Sequence, residues 1–271
     1  MTNELSLHHR RRIPTLRELN AIPWLAGLEP SARLRAEADL KVGDALPGDL
    51  VCRIGKPVTY WFGVIDGLLK MSNDRPDGQS MTFVGIPPGA WFGEGTALKN
   101  EPYRYNIQAL RKSTVAGLPI ETFQWLLDHS LAFNRFVMNQ INERLGQFIV
   151  ALETDRLNNP DLRVARSLAA FFNPILYPGV GDLLRITQQE LAYLVGLSRQ
   201  RVNMALKRLE AAQWIKVTYG GIHPCRGGIN RYGPFHTVAA RQQKTDKRYR
   251  NNGHAQANGY KVPAFHREER I

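Results

Sequence analysis

The segment from Thr187 to Leu209, TQQELAYLVGLSRQRVNMALKRL, limits the possible folds of this chain more than any other stretch. Thr187 and Glu190 have the spacing of a capping box, which predicts the start of a helix. Gly196 can adopt turn conformations that other residues rarely take, and Ser198 can cap a second helix. A small residue, Ala192, stands where two helices would have to approach closely. The segment therefore predicts two short helices joined by a tight turn.

The second of these helices has a polar face. That face carries Ser198, Arg199, Gln200, Arg201, Asn203 and Lys207. Arg, Gln and Asn match base edges in the DNA major groove, whereas Lys and Arg match phosphates. We predict that these residues bind double-stranded DNA, with Asn203 pairing with adenine and with Arg201, Lys207 and Arg208 at phosphates. The alternative is an ordinary helical hairpin whose charges are solvated.

Charge and cysteine content restrict the class of protein. Lys and Arg number 36 against 24 Asp and Glu, so the formal charge is +12, which favours polyanionic partners. Cys52 and Cys225 are too few and too far apart for a disulfide framework or an iron–sulfur cluster, and we place no metal. The chain has no run of eighteen apolar residues and begins without the apolar stretch of a signal peptide. We expect a cytoplasmic protein without membrane contact.

Turn-forming residues recur about every ten positions from Gly43 to Phe123, which predicts a meander of short strands in a small barrel. The pattern then changes to helical spacing. An apolar stripe predicts one long helix and consists of Val137, Ile141, Leu145, Phe148 and Leu152. Pro160 and the two asparagines before it interrupt the helical pattern, which indicates a hinge.

These features together resemble the CRP/FNR family of bacterial transcription regulators over residues 43–221. The resemblance rests on the helix-turn-helix segment and on the motifs Gly48-Asp49, Asp66-Gly67, Asp77-Gly78, Pro88-Gly89-Ala90-Trp91-Phe92-Gly93-Glu94 and Glu143-Arg144-Leu145. It implies an α+β fold in which a cyclic-nucleotide-binding-type β-roll, a jelly roll, is joined by a long dimerisation helix to a winged helix-turn-helix. The expected organisation is a basic N-terminal arm (1–20), the β-roll sensor domain (21–128), the dimerisation helix (129–157), the DNA-binding domain (158–232) and a basic, disordered tail (233–271).

The resemblance also implies partners and a mechanism. The apolar stripe of the long helix looks like the seam of a homodimer, whose two recognition helices would bind a palindromic operator. RNA polymerase is a further expected partner. A ligand in the roll would shift the recognition helices through the long helix.

The family's cyclic-nucleotide binders hold the ribose with a Glu, which Glu94 matches, and the phosphate with an Arg-Ser pair about ten residues later. Arg104 lies at that distance, but Tyr105 replaces the serine, and counting back from Ala109 instead places Tyr103 at the arginine position. The candidate effector pocket consists of Gly93, Glu94, Arg104, Tyr105, Arg144 and Phe148. An alternative is that Glu94 and Arg104 form a structural ion pair.

Two departures from the family pattern bear on specificity. Phe148 and Ile149 replace the Thr-Ser pair that contacts adenine in cyclic-AMP-binding members, so cyclic AMP is a doubtful effector, and another ligand or a roll kept as a scaffold is at least as compatible. In the recognition helix, Gln200 replaces a glutamate and Met204 replaces an arginine. We therefore expect an operator unlike the standard one of the family.

The wing is predicted from Trp214 to Ile222, with Gly220-Gly221 as its turn, whereas Pro224 predicts a truncated or remodelled last strand. Glu94, Asp128 and His129 form no recognisable catalytic set, so an enzyme is not expected. The leading prediction is an effector-controlled, sequence-specific transcription regulator. The alternative is an effector-responsive module that binds nucleic acid non-specifically through its basic helices and tail.

Overall fold

The punctuated region forms two antiparallel sheets in the computed structural model, which describes residues 11–74, 80–156, 159–225 and 228. The strands are β1 (Lys41–Ala45), β2 (Leu50–Cys52), β3 (Tyr60–Asp66), β4 (Leu69–Asp74), β5 (Ser80–Ile86), β6 (Trp91–Phe92), β7 (Asn106–Ala109) and β8 (Ser113–Pro119). One sheet has the order β1-β8-β3-β6 and the other the order β2-β7-β4-β5. The predicted strand meander is thus confirmed as a β-roll, and the predicted turn at Asp77-Gly78 lies outside the described residues.

Helices precede the roll, follow it and, in one place, lie within it between β6 and β7. They are α1 (Leu16–Asn20), α2 (Pro30–Asp39), α3 (Glu94–Lys99), α4 (Ile120–His129), α5 (Leu131–Arg156) and α6 (Pro160–Phe171). A short 3-10 turn, Leu25–Gly27, lies between α1 and α2. Asn159 caps α6 by accepting hydrogen bonds from the backbone N–H groups of Asp161 and Leu162, which explains why the helix begins there.

Part of the predicted basic arm is folded onto the roll. Thr15 and Glu18 form a capping box that starts α1, and the backbone N–H of Arg12 donates to the carbonyl of Val42 in β1 over 2.8 Å. Residues 1–10 lie outside the described residues, as does the predicted tail, 233–271. The boundaries of the basic N-terminal arm stay a prediction, and the cap and the backbone pairing at residues 11–20 were not foreseen.

The roll and the long helix share an aromatic core. Trp61 and Trp91 lie with their ring centroids 4.4 Å apart, and Trp24 and Phe133 pack against them. Phe133 belongs to α5 and is fully buried, as is Val137 one turn later. The first turns of α5 are therefore anchored in the roll by apolar contacts.

The outer side of α5 carries the apolar stripe, with one correction to its membership. Val137 is 1 % exposed and belongs to the core of its own chain, whereas Met138 beside it is 56 % exposed. The exposed stripe consists of Met138, Ile141, Leu145, Phe148 and Leu152, with spacings of 3, 4, 3 and 4 residues. This is the heptad spacing of a coiled-coil seam. The sequence-based prediction named Val137 as the first residue of the stripe, one position before the exposed Met138.

The C-terminal part contains the predicted helix-turn-helix and wing. Its elements are α7 (Gln188–Val195), α8 (Arg199–Ala211), β9 (Ile215–Thr218) and β10 (Gly221–Pro224). The backbone carbonyl and N–H of Leu184 also pair with Ile222, which adds a third backbone segment to the hairpin. The wing is not shortened at Pro224, which pairs with Ile215, and its turn residues are Tyr219 and Gly220 rather than two glycines.

Candidate nucleic-acid interface and effector site

Local capping positions the recognition helix α8 as predicted. Thr187 and Glu190 form the capping box that starts α7, and Gly196 ends it in the left-handed conformation with φ 64°. The Ser198 hydroxyl then accepts from the backbone N–H of Arg201 at the start of α8. Val202 is fully buried between the helices. The turn therefore fixes α8 relative to α7 through two caps and an apolar contact.

The outer side of α8 is polar and accessible. Arg199, Gln200 and Lys207 are exposed, and so is Met204, which sits on the same face. Asn203 is half-buried there. A helix with an accessible row of cationic and amide groups has the shape and chemistry that fit the major groove. Sequence reasoning named all of these positions, although Met204 was not placed among the binding residues.

Arg201 and Arg208 are engaged within the chain. Both pair with Asp161 in the first turn of α6, at 3.6 Å for Arg201 Nη2 and 2.5 Å for Arg208 Nη1. That these two arginines meet phosphates stays a prediction, and their pairing with Asp161 was not foreseen. Asp161 follows Pro160 in sequence and gave no signal that it would reach a helix some forty residues later. Only the packing of α6 against α8 brings them together.

Gln188 also lies at this surface and was not predicted there. Its Nε2 donates to Oδ1 of Asn203 over 3.3 Å, so that the first residue of α7 and the middle of α8 are joined by a side-chain hydrogen bond. The wing adds Tyr219, which is fully exposed at the hairpin tip, and exposed Lys216. Gln188 and Tyr219 line a common pocket, and with Lys216 they extend the accessible surface beyond α8.

In the roll, Glu94 forms a buried ion pair with Arg144 of α5. Arg144 Nε lies 2.6 Å from Glu94 Oε1, and its Nη2 donates to the Trp91 carbonyl over 2.7 Å. The two side chains are only 4 % and 11 % exposed. Burial would lower the pKa of Arg144, but the Glu94 carboxylate, together with the nearby Tyr177 and Tyr105, raises it. The second oxygen of Glu94, Oε2, is buried and has no hydrogen-bond partner.

The predicted partner of Glu94 lies elsewhere. Arg104 is 74 % exposed and pairs with Glu101 over 2.6 Å, so the expected Glu94–Arg104 ion pair does not form. Three residues apart, Glu101 and Arg104 can meet locally without a tertiary contact. The structure brings Arg144, not Arg104, to Glu94, because α5 packs against α3, which begins at Glu94, and spacing along the sequence carries no signal of that contact.

Aromatic side chains fill the space around Glu94. Tyr103 is buried, and its hydroxyl donates to the Tyr60 carbonyl over 2.9 Å. Tyr105 is half-buried, and burial raises its pKa to about 12, so it stays a neutral phenol. Gly93 has φ +86°, and a Cβ there would lie 3.6 Å from the Tyr105 hydroxyl. Phe148, the last member of the predicted pocket, is exposed in the outer stripe of α5.

The inner side of α5 carries a polar seam that sequence reasoning missed. Gln140 Nε2 donates to the Ile175 carbonyl over 2.8 Å, and Asn173 Nδ2 donates to Glu143 Oε2 over 3.0 Å. The Tyr177 hydroxyl donates to Gln147 Oε1 over 3.1 Å. Gln140, Glu143 and Gln147 recur at helical spacing next to the apolar stripe, which was the available signal. The seam ties α5 to the loop that precedes the helix-turn-helix.

A second link joins the roll directly to the helix-turn-helix. Arg111, in the turn between β7 and β8, lies 3.3 Å from the capping residue Glu190 and also donates to the carbonyls of Gly67 and Arg185. Gly85 in β5 sits so close to α6 and α7 that a Cβ there would come within 2.7 Å of side-chain atoms in both. The roll is thus in direct contact with α6 and α7.

The described part of the chain lacks two further kinds of feature. In these residues no helix is long and apolar enough to cross a membrane. The same residues contain no group of three or more His, Cys, Asp or Glu side chains that could hold a metal ion.

Comparison with known proteins matches both halves of the chain. A cyclic nucleotide-binding domain model matches residues 44–130, and a Crp-like helix-turn-helix domain model matches residues 143–224. A CRP-like cAMP-activated global transcriptional regulator from Mycobacterium tuberculosis is 24 % identical over 202 residues, which is 70 % of this chain and 87 % of that protein.

Solved structures show the same fold. The structure of FixK2 from Bradyrhizobium japonicum superposes with a TM-score of 0.56 at 14 % identity and covers 71 % of this chain and 95 % of its own. The c-di-GMP responsive global regulator CLP from Xanthomonas campestris has a TM-score of 0.51 at 21 % identity, with coverages of 73 % and 99 %. With a cyclic-nucleotide-binding-type roll, a long helix and a Crp-like helix-turn-helix in one chain, this protein belongs to the CRP/FNR family of transcription regulators.

Proposed function

We propose that this protein is a homodimeric regulator that binds a specific palindromic DNA operator in the cytoplasm and is controlled by a small effector in its roll. The observation that carries the proposal is the row of exposed Arg199, Gln200, Met204 and Lys207 on a helix held by caps at both ends of the turn. Such a row can reach base edges without a rearrangement of its own backbone.

The outer stripe of α5 supports the homodimer. Five apolar residues at heptad spacing are exposed in the single chain, from Met138 to Leu152. Two such helices related by a two-fold axis would bury these stripes against each other. The same axis would present two copies of α8 to half-sites one helical turn apart, about 34 Å.

The environment of Glu94 supports an effector site that is closed in the free chain. Arg144 holds one carboxylate oxygen, and the buried Oε2 remains without a partner. An effector with a hydroxyl or amide donor could satisfy Oε2, whereas one that takes over Oε1 must displace Arg144. The Mycobacterium relative is named as cAMP-activated; the apolar Phe148 and Ile149 argue against the same effector here.

The contacts of α5 suggest how the roll could influence DNA binding. Arg144 on one side holds Glu94, and the polar seam on the same helix holds the loop at 173–177. A shift of α5 caused by a ligand would therefore move that loop and the helices that follow. Such a mechanism requires two states with different affinity for the ligand. RNA polymerase remains an expected partner of the DNA-bound dimer.

Selection of bound sequences from a randomised duplex pool by the purified full chain tests the proposal. The expected result is a palindromic motif that differs from the standard operator of the family, bound in preference to scrambled duplex by a factor of roughly 10³ or more. The selection is repeated with cyclic AMP, cyclic GMP and cyclic di-GMP. Enrichment of a motif only when one nucleotide is present would identify that nucleotide as the effector.

The same experiment separates the alternative function. A non-specific nucleic-acid-binding module, favoured by the formal charge of +12, would bind all duplexes with similar affinity and with a steep dependence on salt. Absence of a motif under every condition, together with such uniform binding, would reject the specific regulator.

A further inference from the structure

Met204 is a large apolar residue in the middle of the outer face of α8. The buried side of this helix consists of Val202, Ala205, Leu206 and Leu209. With 3.6 residues per turn, Met204 points almost directly away from that side, as do Gln200 one turn before it and Lys207 one turn after it. These three exposed residues form one row along the face that would enter the major groove in the proposed complex.

Met204 differs in chemistry from both of its neighbours in this row. Gln200 and Lys207 end in hydrogen-bonding groups, whereas the thioether of a methionine has no donor and is only a weak acceptor. Met204 is nevertheless 40 % exposed, so contact with an apolar partner would remove further apolar surface from water. The row therefore offers hydrogen bonds at its two ends and an apolar contact between them.

Thymine presents an apolar group at the edge of the major groove, the methyl group on C5. Guanine presents the acceptors O6 and N7 there, adenine presents N7 and an amine, and cytosine presents an amine. A thioether packed on any of these polar groups would leave it without a hydrogen-bond partner, at a cost in affinity. The chemistry of Met204 therefore matches thymine better than the other three bases.

The position of Met204 also separates its target from that of Gln200. The two residues lie about 6 Å apart along the helix axis, which exceeds the spacing of about 3.4 Å between base pairs, so their side chains can address different base pairs. The Ser198 cap and the buried Val202 hold the backbone of α8 in place. The unbranched methionine side chain has the rotational freedom to settle against a methyl group without movement of that backbone.

We propose that Met204 determines specificity by packing on the C5-methyl group of a thymine at one base pair of each half-site. This inference rests on the proposed function and names the base selected by the residue that replaces the family's arginine. An arginine at this position would instead favour guanine, because its guanidinium can donate to both O6 and N7.

Deoxyuridine tests the proposal, since it differs from thymidine only by the missing methyl group. Sequence selection with the full chain first gives the half-site, and each of its thymines is then replaced singly by deoxyuridine. At one position the wild-type protein is expected to bind about fourfold more weakly, the effect of one methyl group that is no longer buried. Met204→Ala is expected to bind the thymine and deoxyuridine duplexes equally at that position, whereas Met204→Leu keeps a preference for thymine. Fluorescence anisotropy measures each affinity.

Two control variants separate this contact from general effects. Lys207→Ala removes a charge from the same row and is expected to weaken binding to the two duplexes alike, because a cation that contacts phosphate does not sense the methyl group. Leu98→Ala removes an apolar side chain of the same 40 % exposure from α3 in the roll and is expected to leave the ratio of the two affinities unchanged. Thermal unfolding verifies that each variant is folded.

Three results would overturn the inference and leave the proposed function standing. They are a selected half-site without thymine, a half-site in which no thymine responds to loss of its methyl group, and a Met204→Ala protein that keeps the wild-type ratio of affinities. A wild-type protein that selects no motif rejects the proposed function itself.

Discussion

How much a charged residue of this protein contributes to stability depends on its partner and on its burial. Glu94 and Glu101 lie seven positions apart, yet Glu94 is buried against Arg144 and Glu101 lies at the surface beside Arg104. A charge that is removed from water depends on its partner far more than an exposed one does, since water screens the exposed pair. We therefore expect the buried Glu94 pair to matter for stability and the exposed Glu101 pair to matter little.

Glu94→Gln is expected to destabilise the protein by about 3 kcal/mol, because it leaves the Arg144 guanidinium buried without its counter-charge. Urea unfolding of the two proteins measures the difference. Glu101→Gln is the matched control and is expected to cost less than about 1 kcal/mol, because its pair with Arg104 is exposed. Equal effects of the two substitutions would contradict the assignment of Glu94 to a buried pair.

Glu18 gives a residue-scale prediction about pH. A hydrogen bond from Arg12, assisted by the backbone N–H and hydroxyl of Thr15, lowers the pKa of Glu18 from 4.5 to about 2. The folded pKa lies below the unfolded one, so the stabilising contribution is fully present above pH 4.5 and is lost as the pH falls towards 2. NMR titration of Glu18 measures the pKa directly. Arg12→Gln should move it back towards 4.5, and a midpoint that does not move would refute the pairing.

At the scale of elements, the helices of the C-terminal part are positioned by residues at their ends. Thr187, Gly196 and Ser198 set the boundaries of α7 and α8, and Asn159 sets the start of α6. Asp161 in the first turn of α6 then holds two arginines of α8. The consequence is that α6 limits how many positive charges of α8 are free to meet phosphates.

Asp161→Asn is expected to strengthen DNA binding and to steepen its dependence on salt. The substitution releases Arg201 and Arg208, and each new phosphate contact adds about 0.9 to the slope of log K against log salt. Binding to one duplex is measured at several salt concentrations. Asp182→Asn, an exposed position that gives the same change in charge, is the control. Equal slopes in both variants would mean that the two arginines stay away from phosphates.

At the scale of the whole molecule, one helix connects every proposed activity. Arg144 of α5 contacts Glu94 in the roll, and the polar seam of α5 contacts the loop at 173–177 that precedes the helix-turn-helix. The outer side of α5 carries the exposed apolar stripe. Arg111 gives the roll a separate contact with α7. A conformational change in the roll can therefore be transmitted to the helix-turn-helix through α5 or through Arg111.

Leu145→Lys is expected to convert the proposed dimer into monomers and to abolish binding to a palindromic duplex. Leu145 is exposed at the centre of the stripe, and two such residues would face each other across the two-fold axis, so the substitution opposes like charges in an apolar seam. Sedimentation velocity measures the mass in solution. Asn139→Lys places the same charge on an exposed position outside the stripe and should leave the dimer intact. A wild-type monomer would contradict the proposed seam.

The sequence by itself determined the local elements of this protein. Caps, turns and helical spacing depend on neighbours within a few residues, so the helix-turn-helix, the long helix and the strands of the roll could be predicted together with the outward face of α8. Only the tertiary structure decided which residues distant in sequence contact each other. Glu94 pairs with Arg144 instead of Arg104, Val137 turns inward, and Asp161 holds two arginines of α8. Each depends on how whole elements cross, because a contact between distant residues leaves no periodic trace along a single chain.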